Sequence, residues 1–136
     1  MIRNRSIPPA EVIPELAYRD VNEAAAWLCR AFGFRERLRI GGHRCQLSVG
    51  QGGAVVVVEG EAPAGYSHGV LVRVTDAAAH HAQAQREGAK ILRPPTDYPY
   101  GERQYTAQDP GGHVWTFSQS LADVDPATWG GKWLGP

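Results

Sequence analysis

No stretch of this 136-residue chain is apolar for long enough to cross a membrane as a helix. The longest unbroken runs, such as Ala24 to Cys29 and Ala54 to Val58, fall far short of the roughly 20 residues a span requires. Neither charge is in surplus: 14 basic side chains face 14 acidic ones, with no basic stripe or tail, which argues against a nucleic-acid partner held through its phosphates. Cysteine is scarce. Cys29 and Cys45 are too far apart for a CxxC pair, so both read as reduced structural thiols rather than part of a disulfide scaffold. After Arg3 and Arg5 comes "SIPPAEVIPE" instead of the apolar core of a secretory signal, so the expected location is cytoplasmic. There is also no Ser-His-Asp set, no readable Cys-His pair and no phosphate-cradling glycine loop. The glycines at Gly41-Gly42 and Gly50 to Gly53 read as turns between strands.

What is present suits one globular domain: 43% hydrophobic residues suffice for a single core, and the length is short for two. Val12 to Tyr18 reads as a strand. Asp20 or Asn22 can cap a following helix whose apolar face is Val21, Ala24, Ala25, Leu28 and Phe32, and Gly33 ends it. Three strand-like runs follow, "FRERLRI", "HRCQLSV" and "AVVVVEG". After the linker "EAPAGYS" the order begins again with "HGVLVRV", a cap at Asp76, and the Ala-rich helix "AAAHHAQAQRE" closed by Gly88. The strands "AKILRP", "RQYTAQ" and "HVWTFSQ" complete it, the last two joined by the turn Asp109-Pro110-Gly111-Gly112. Placed side by side, "LAYRDVNEAAAWLCRAFGF" and "LVRVTDAAAHHAQAQREGA" share strand, Asp, helix and Gly at nearly equal spacings, the mark of an internal duplication. The expectation is an α+β chain of two βαβββ modules, about 12–60 and 68–119, with a linker at 61–67 and a tail at 120–136.

The duplicated order, with "YRDVNEAAAWLCRAFGF", "HGVLVRVTDAAAHHAQAQREGAKI", "YGERQYTAQDPGGHVWTF" and the tail "DVDPATWG", resembles the vicinal oxygen chelate superfamily of glyoxalases, bleomycin-resistance proteins and extradiol dioxygenases. The resemblance implies that the modules' mixed sheets curl into an open barrel with helices outside and a ligand cleft on the concave side, often completed in a homodimer. In metal-dependent members, His, Gln or Glu from both modules hold a divalent ion. Carried over position by position, the first His falls on Ile13, the second on Gly69 beside His68, and the closing Glu on Thr116. Ile cannot ligate and Thr is a poor substitute for a carboxylate, which leaves His68 and Glu59 as weak metal candidates. No cofactor is expected, with a divalent metal as the alternative.

Strand alternation then assigns the concave side. Glu15, Ala17 and Arg19 face it from the first strand, Leu71 and Arg73 from the fifth, and Val114, Thr116 and Ser118 from the last, while Trp115 and Phe117 face the helices. Arg73 needs a partner: Glu15, Glu59 or an anionic ligand. The segment "RPPTDYPYGERQY" reads as a loop at the cleft rim, stiffened by Pro94, Pro95 and Pro99, with Tyr98, Tyr100, Arg103 and Tyr105 suited to an aromatic or conjugated molecule. His80 and His81 read as a solvated helix face, and His43 and His113 as hydrogen-bonded structural residues. The expected function is metal-independent binding of an aromatic or anionic small molecule by a homodimer, as in drug-sequestering bleomycin-resistance-type proteins. Ligand contacts would come from Glu15, Arg73, Tyr98, Tyr100, Arg103, Tyr105 and Thr116. The alternatives are a glyoxalase-like lyase or isomerase, with or without a divalent metal and with Glu15 or Glu59 as base, and an interaction module with a vestigial cleft.

Overall fold

A computed structural model describes residues 2–61 and 68–135; most of the expected linker lies outside the described residues. The chain runs β1 (Glu15–Tyr18), α1 (Val21–Phe32), β2 (Arg35–Ile40), β3 (Arg44–Val49), β4 (Gly53–Glu59), β5 (Val70–Arg73), α2 (Ala77–Arg86), β6 (Lys90–Asp97), β7 (Glu102–Gln108) and β8 (Val114–Ser120), followed by a 3-10 turn at Pro126–Trp129. The duplication is complete in the topology. One mixed sheet has the order β1-β4-β3-β2 and the other β5-β8-β7-β6, with β1 parallel to β4 and β5 parallel to β8.

Local chemistry sets the helix ends. Asp20, and not Asn22, caps α1 by accepting from the Glu23 N–H, and Asp76 does the same for α2 at Ala79. Gly33 ends α1 in the left-handed region at φ 77°, donating its N–H to the Cys29 carbonyl, a conformation that costs other residues a Cβ clash. Two of the expected strands shorten: Val12 to Pro14 and His68-Gly69 precede β1 and β5 without joining them.

The helices lie on the convex side of each sheet and also meet one another, so a single core joins both modules. Leu16, Leu28, Leu47 and Val57 from the first module pack in one cluster with Tyr105, Trp115 and Phe117 from the second. Phe32 at the end of α1 is the junction, its ring centroid 5.6 Å from Trp115 and 4.7 Å from Phe117. Each such buried large apolar side chain stabilises the fold by about 1.5–3 kcal/mol. Polar contacts lock the same junction. Tyr18 donates to Asp109 Oδ2 at 2.5 Å, Trp115 Nε1 to the same oxygen at 3.0 Å, and His113 Nε2 to the Ala17 carbonyl at 2.7 Å. Trp115 and Phe117 therefore face the helices as their alternation requires, and His113 is the structural residue expected. His80 is not on a solvated face. It is half-buried, with Nδ1 against Tyr105 Oη at 2.5 Å and Nε2 against the Phe32 carbonyl at 2.8 Å, because α2 turns that side toward the core.

With the helix-facing sides of both sheets in one core, the opposite faces of the sheets point away from each other. The two sheets do not close into a barrel.

Candidate functional site

The open face of the second sheet carries the candidate site. Register pairs Glu102 with Ser120, Gln104 with Ser118 and Thr106 with Thr116, which aligns these six side chains on the face away from α2. Above them a cavity of about 360 Å³ is lined by Leu92, Arg93, Tyr98, Tyr100, Gln104, Thr106 and Thr116. The expected rim loop is mostly a hairpin: β6 continues through Pro94 and Pro95 to Asp97, and β7 begins at Glu102. An edge strand tolerates those prolines, and the register shifts between Ile91 and Thr96 absorb them.

The polar groups form a directed chain. Tyr100 Oη donates to Gln104 Oε1 at 3.2 Å, Gln104 Nε2 to Ser118 Oγ at 3.0 Å, and Ser118 Oγ to Glu102 Oε1 at 2.6 Å. Partial desolvation pushes the Glu102 carboxyl up, but the Ser118 and Ser120 hydroxyls and the Arg73 charge outweigh it and hold it below the usual range. Desolvation, helped by Tyr98, raises the Tyr100 phenol, which keeps its proton and leaves its oxygen lone pairs to accept from a ligand. Arg93 Nη1 donates to Tyr98 Oη at 2.6 Å and orients that ring, which stacks on Tyr100 at 5.2 Å and 8°. Trp129 from the tail closes on Tyr100 at 5.4 Å and 59°. Thr116 is satisfied by Thr106 at 3.0 Å.

Of the residues named from sequence, Tyr98, Tyr100 and Thr116 come together here, and Arg73 stands on the same face. Arg73 pairs with Ser120 Oγ at 3.0 Å, not with Glu15 or Glu59, because its own module supplies the nearer acceptor. Tyr105 and Arg103 do not belong to the site. They alternate to the helix side of β7, where Tyr105 is 0% exposed and Arg103 holds Asp97 in a two-pronged pair at 2.7 and 3.1 Å. Glu15 is exposed on the other sheet and meets Arg44 at 3.4 Å. Glu59 is paired with Tyr18 in register, which puts it on the helix side, across the sheet from Glu15. Leu92, Arg93, Glu102, Gln104, Thr106 and Trp129 were not singled out from sequence. Glu102, Gln104 and Thr106 were within reach of the same alternation, once β7 was anchored on a buried Tyr105; Leu92 and Arg93 are consecutive on β6, where the register shift after Ile91 breaks it.

The donor set does not fit a metal centre. Ile13 has no donor, Thr116 is engaged by Thr106, Glu59 faces the helices, and His68 is exposed ahead of β5. Among the described residues no group of three His, Cys, Asp or Glu could hold an ion. The thiols are remote from such chemistry as well: burial, helped by Glu36, raises Cys29 and pushes Cys45 up to about 12.

Two βαβββ modules whose helices share one core define a paired-module α+β protein. Residues 11–117 match the Glyoxalase/Bleomycin resistance protein/Dioxygenase superfamily, and the chain belongs to it. Among solved structures, TioX from Micromonospora sp. ML1 is similar at 37% identity over 82% of this chain and 99% of that one, with a TM-score of 0.70. A glyoxalase/bleomycin resistance protein from Streptomyces sp. CB03234 shares 26% over 79% and 97%, TM-score 0.66. A family enzyme from Burkholderia phytofirmans PsJN, at 18% over 80% and 97% and TM-score 0.71, shares the fold. No curated protein matches the chain.

Proposed function

We propose that this protein binds a planar, aromatic, neutral or anionic small molecule on the open face of its second sheet, without a metal. The cavity of about 360 Å³ carries this reading. It falls within the range of small-ligand sites and combines stacked aromatics with a few fixed polar groups. Arg73 and Arg93 against the single carboxylate Glu102 favour an anion over a cation. The chemistry favours holding over turnover: Glu102 is kept ionised below its usual range and is occupied by two hydroxyls, so it anchors the Tyr100 chain and is a weak general base. A second copy of the chain would complete the cleft. Leu71 is 65% exposed on the same face, and the two open faces of one chain point apart, so neither can close on the other.

Thermal unfolding with 2-naphthoate and, as control, 2-naphthylmethylamine tests the reading. At about 100 times its dissociation constant, the anion adds about 2.7 kcal/mol of stability. The amine adds far less. Thr116→Trp fills the cavity and removes the effect, and Tyr98→Ala with Tyr100→Ala weakens it. An undiminished shift in Thr116→Trp would show that the ligand binds elsewhere.

A further inference from the structure

The open face of the first sheet is covered by its own chain. On β3, Cys45 and Leu47 point into the shared core, so Gln46 points to the open side, where register aligns it with Val56 and Glu15. Gln46 is 3% and Val56 2% exposed, and Ala54 is also buried, yet none of the three belongs to the core cluster. The leading segment, residues 2–13, covers them. Gln46 Nε2 donates to the Ser6 carbonyl at 2.9 Å, Arg37 Nη1 donates to the Arg5 carbonyl at 3.3 Å and to Gln46 Oε1 at 2.5 Å, and Pro8 is buried.

Duplication identifies what is being covered. Glu15 and Leu71 stand at the same distance before their capping Asp residues. Register runs from Glu15 through Val56 to Gln46 in one sheet, and from Leu71 through Thr116 to Thr106 in the other. Val56 and Gln46 are thus the counterparts of Thr116 and Thr106, the floor of the cavity. The segment sits where the second module has its ligand site.

The attachment is of a kind that a ligand can replace. Among the described residues, 2–13 form no ladder with the sheet; their one backbone bond is internal, from Ile7 N to the Asn4 carbonyl. Gln46 and Arg37 hold backbone carbonyls, acceptors that a carboxylate or sulfonate can match.

We propose that residues 2–13 are a tethered occupant of a second small-molecule site on the first sheet, anchored at Pro14, whose carbonyl accepts from Val56 N at 2.9 Å, and that the site takes the same class of planar aromatic anion when the segment leaves. This rests on the reading that the second-sheet cavity binds such molecules, and the experiment separates the two. The probe is 1-anilinonaphthalene-8-sulfonate, titrated to saturation by fluorescence. Release of the segment is read independently by trypsin cleavage of the Arg5–Ser6 bond, whose carbonyl Arg37 holds. The wild type binds one probe per chain. Pro8→Asp, which makes the segment's buried residue charged, binds two and is cut after Arg5 several-fold faster. Asn4→Gly, which loosens the Asn4–Ile7 turn without touching the sheet, changes both readings in the same direction. Adding Val56→Arg to Pro8→Asp returns the count to one. Faster cleavage with the count unchanged would overturn the proposal, as would a count and cleavage rate unchanged in both release variants. Thr116→Trp removes the second-sheet site alone. If it leaves the wild-type count unchanged, the proposed function fails, while a gain in Pro8→Asp that Val56→Arg abolishes still supports the occupant.

Discussion

Removing the Tyr105 hydroxyl as Tyr105→Phe tests how the two modules are joined. A carbonyl only accepts, so the His80 nitrogen facing the Phe32 carbonyl carries the proton, and the other nitrogen accepts from Tyr105. In the variant that nitrogen is a half-buried acceptor with no donor, which costs about 1–3 kcal/mol. For a chain of this size 1 kcal/mol moves Tm by roughly 3–4 °C, so a fall of roughly 3–12 °C is expected. His80→Ala costs more, since it also strips the donor from the Phe32 carbonyl and a ring 4.2 Å from Phe117. The double variant should be less unstable than the sum by about 1–2 kcal/mol. Burial also depresses the His80 pKa below its ordinary 6.5, against an opposing pull from the Phe32 carbonyl. The unfolded chain therefore takes up this proton at a higher pH than the folded one. The contribution is complete above about pH 6.5 and is lost as pH falls from there toward the depressed folded value. Urea denaturation at pH 5 to 8 measures both effects, and His80→Gln should flatten the decline. A Tyr105→Phe change below about 0.3 kcal/mol, with no coupling to His80, would refute the hydrogen-bonded junction.

Asp109→Asn should cost about 1–3 kcal/mol in denaturation, because its amide nitrogen cannot accept from Trp115 Nε1 where Oδ2 now does. Thr116→Glu should not confer stoichiometric uptake of Ni, Zn or Mn in elemental analysis, since Ile13 and the helix-facing Glu59 withhold the other ligands; uptake would show that a complete donor set exists. If the proposed dimer forms through the open face, the wild type should sediment as a dimer and Leu71→Arg as a monomer with a lower, concentration-independent Tm. A variant that still sediments as a dimer would place the interface away from the open face.

The limits of sequence reading here lie in strand phase and strand length. Once β8 is anchored by Trp115 and Phe117, alternation correctly assigns Thr116 and Ser118 to the open face. The same rule misplaces Tyr105 and Arg103 when "RPPTDYPYGERQY" is read as a loop, because a loop has no phase. Pro94 and Pro95 suggest a break, and only their position on an edge strand permits them. Glu59 fails for a similar reason: its distance from Glu15 along the chain says nothing of which face it shares until β1 is paired with β4.

The sequence alone determined the duplicated βαβββ order, the cap at Asp76, the choice of Asp20 or Asn22 as cap of α1, the stop at Gly33 and the lack of ligands at Ile13 and Thr116, because each depends on local backbone preference or side-chain chemistry. Tertiary structure decided the rest: Arg73 on Ser120, His80 between Tyr105 and Phe32, Trp129 against Tyr100, and residues 2–13 over Gln46. These pairings join segments far apart in the chain. Which acceptor a buried donor finds depends on how sheets and helices pack, and no local pattern records it.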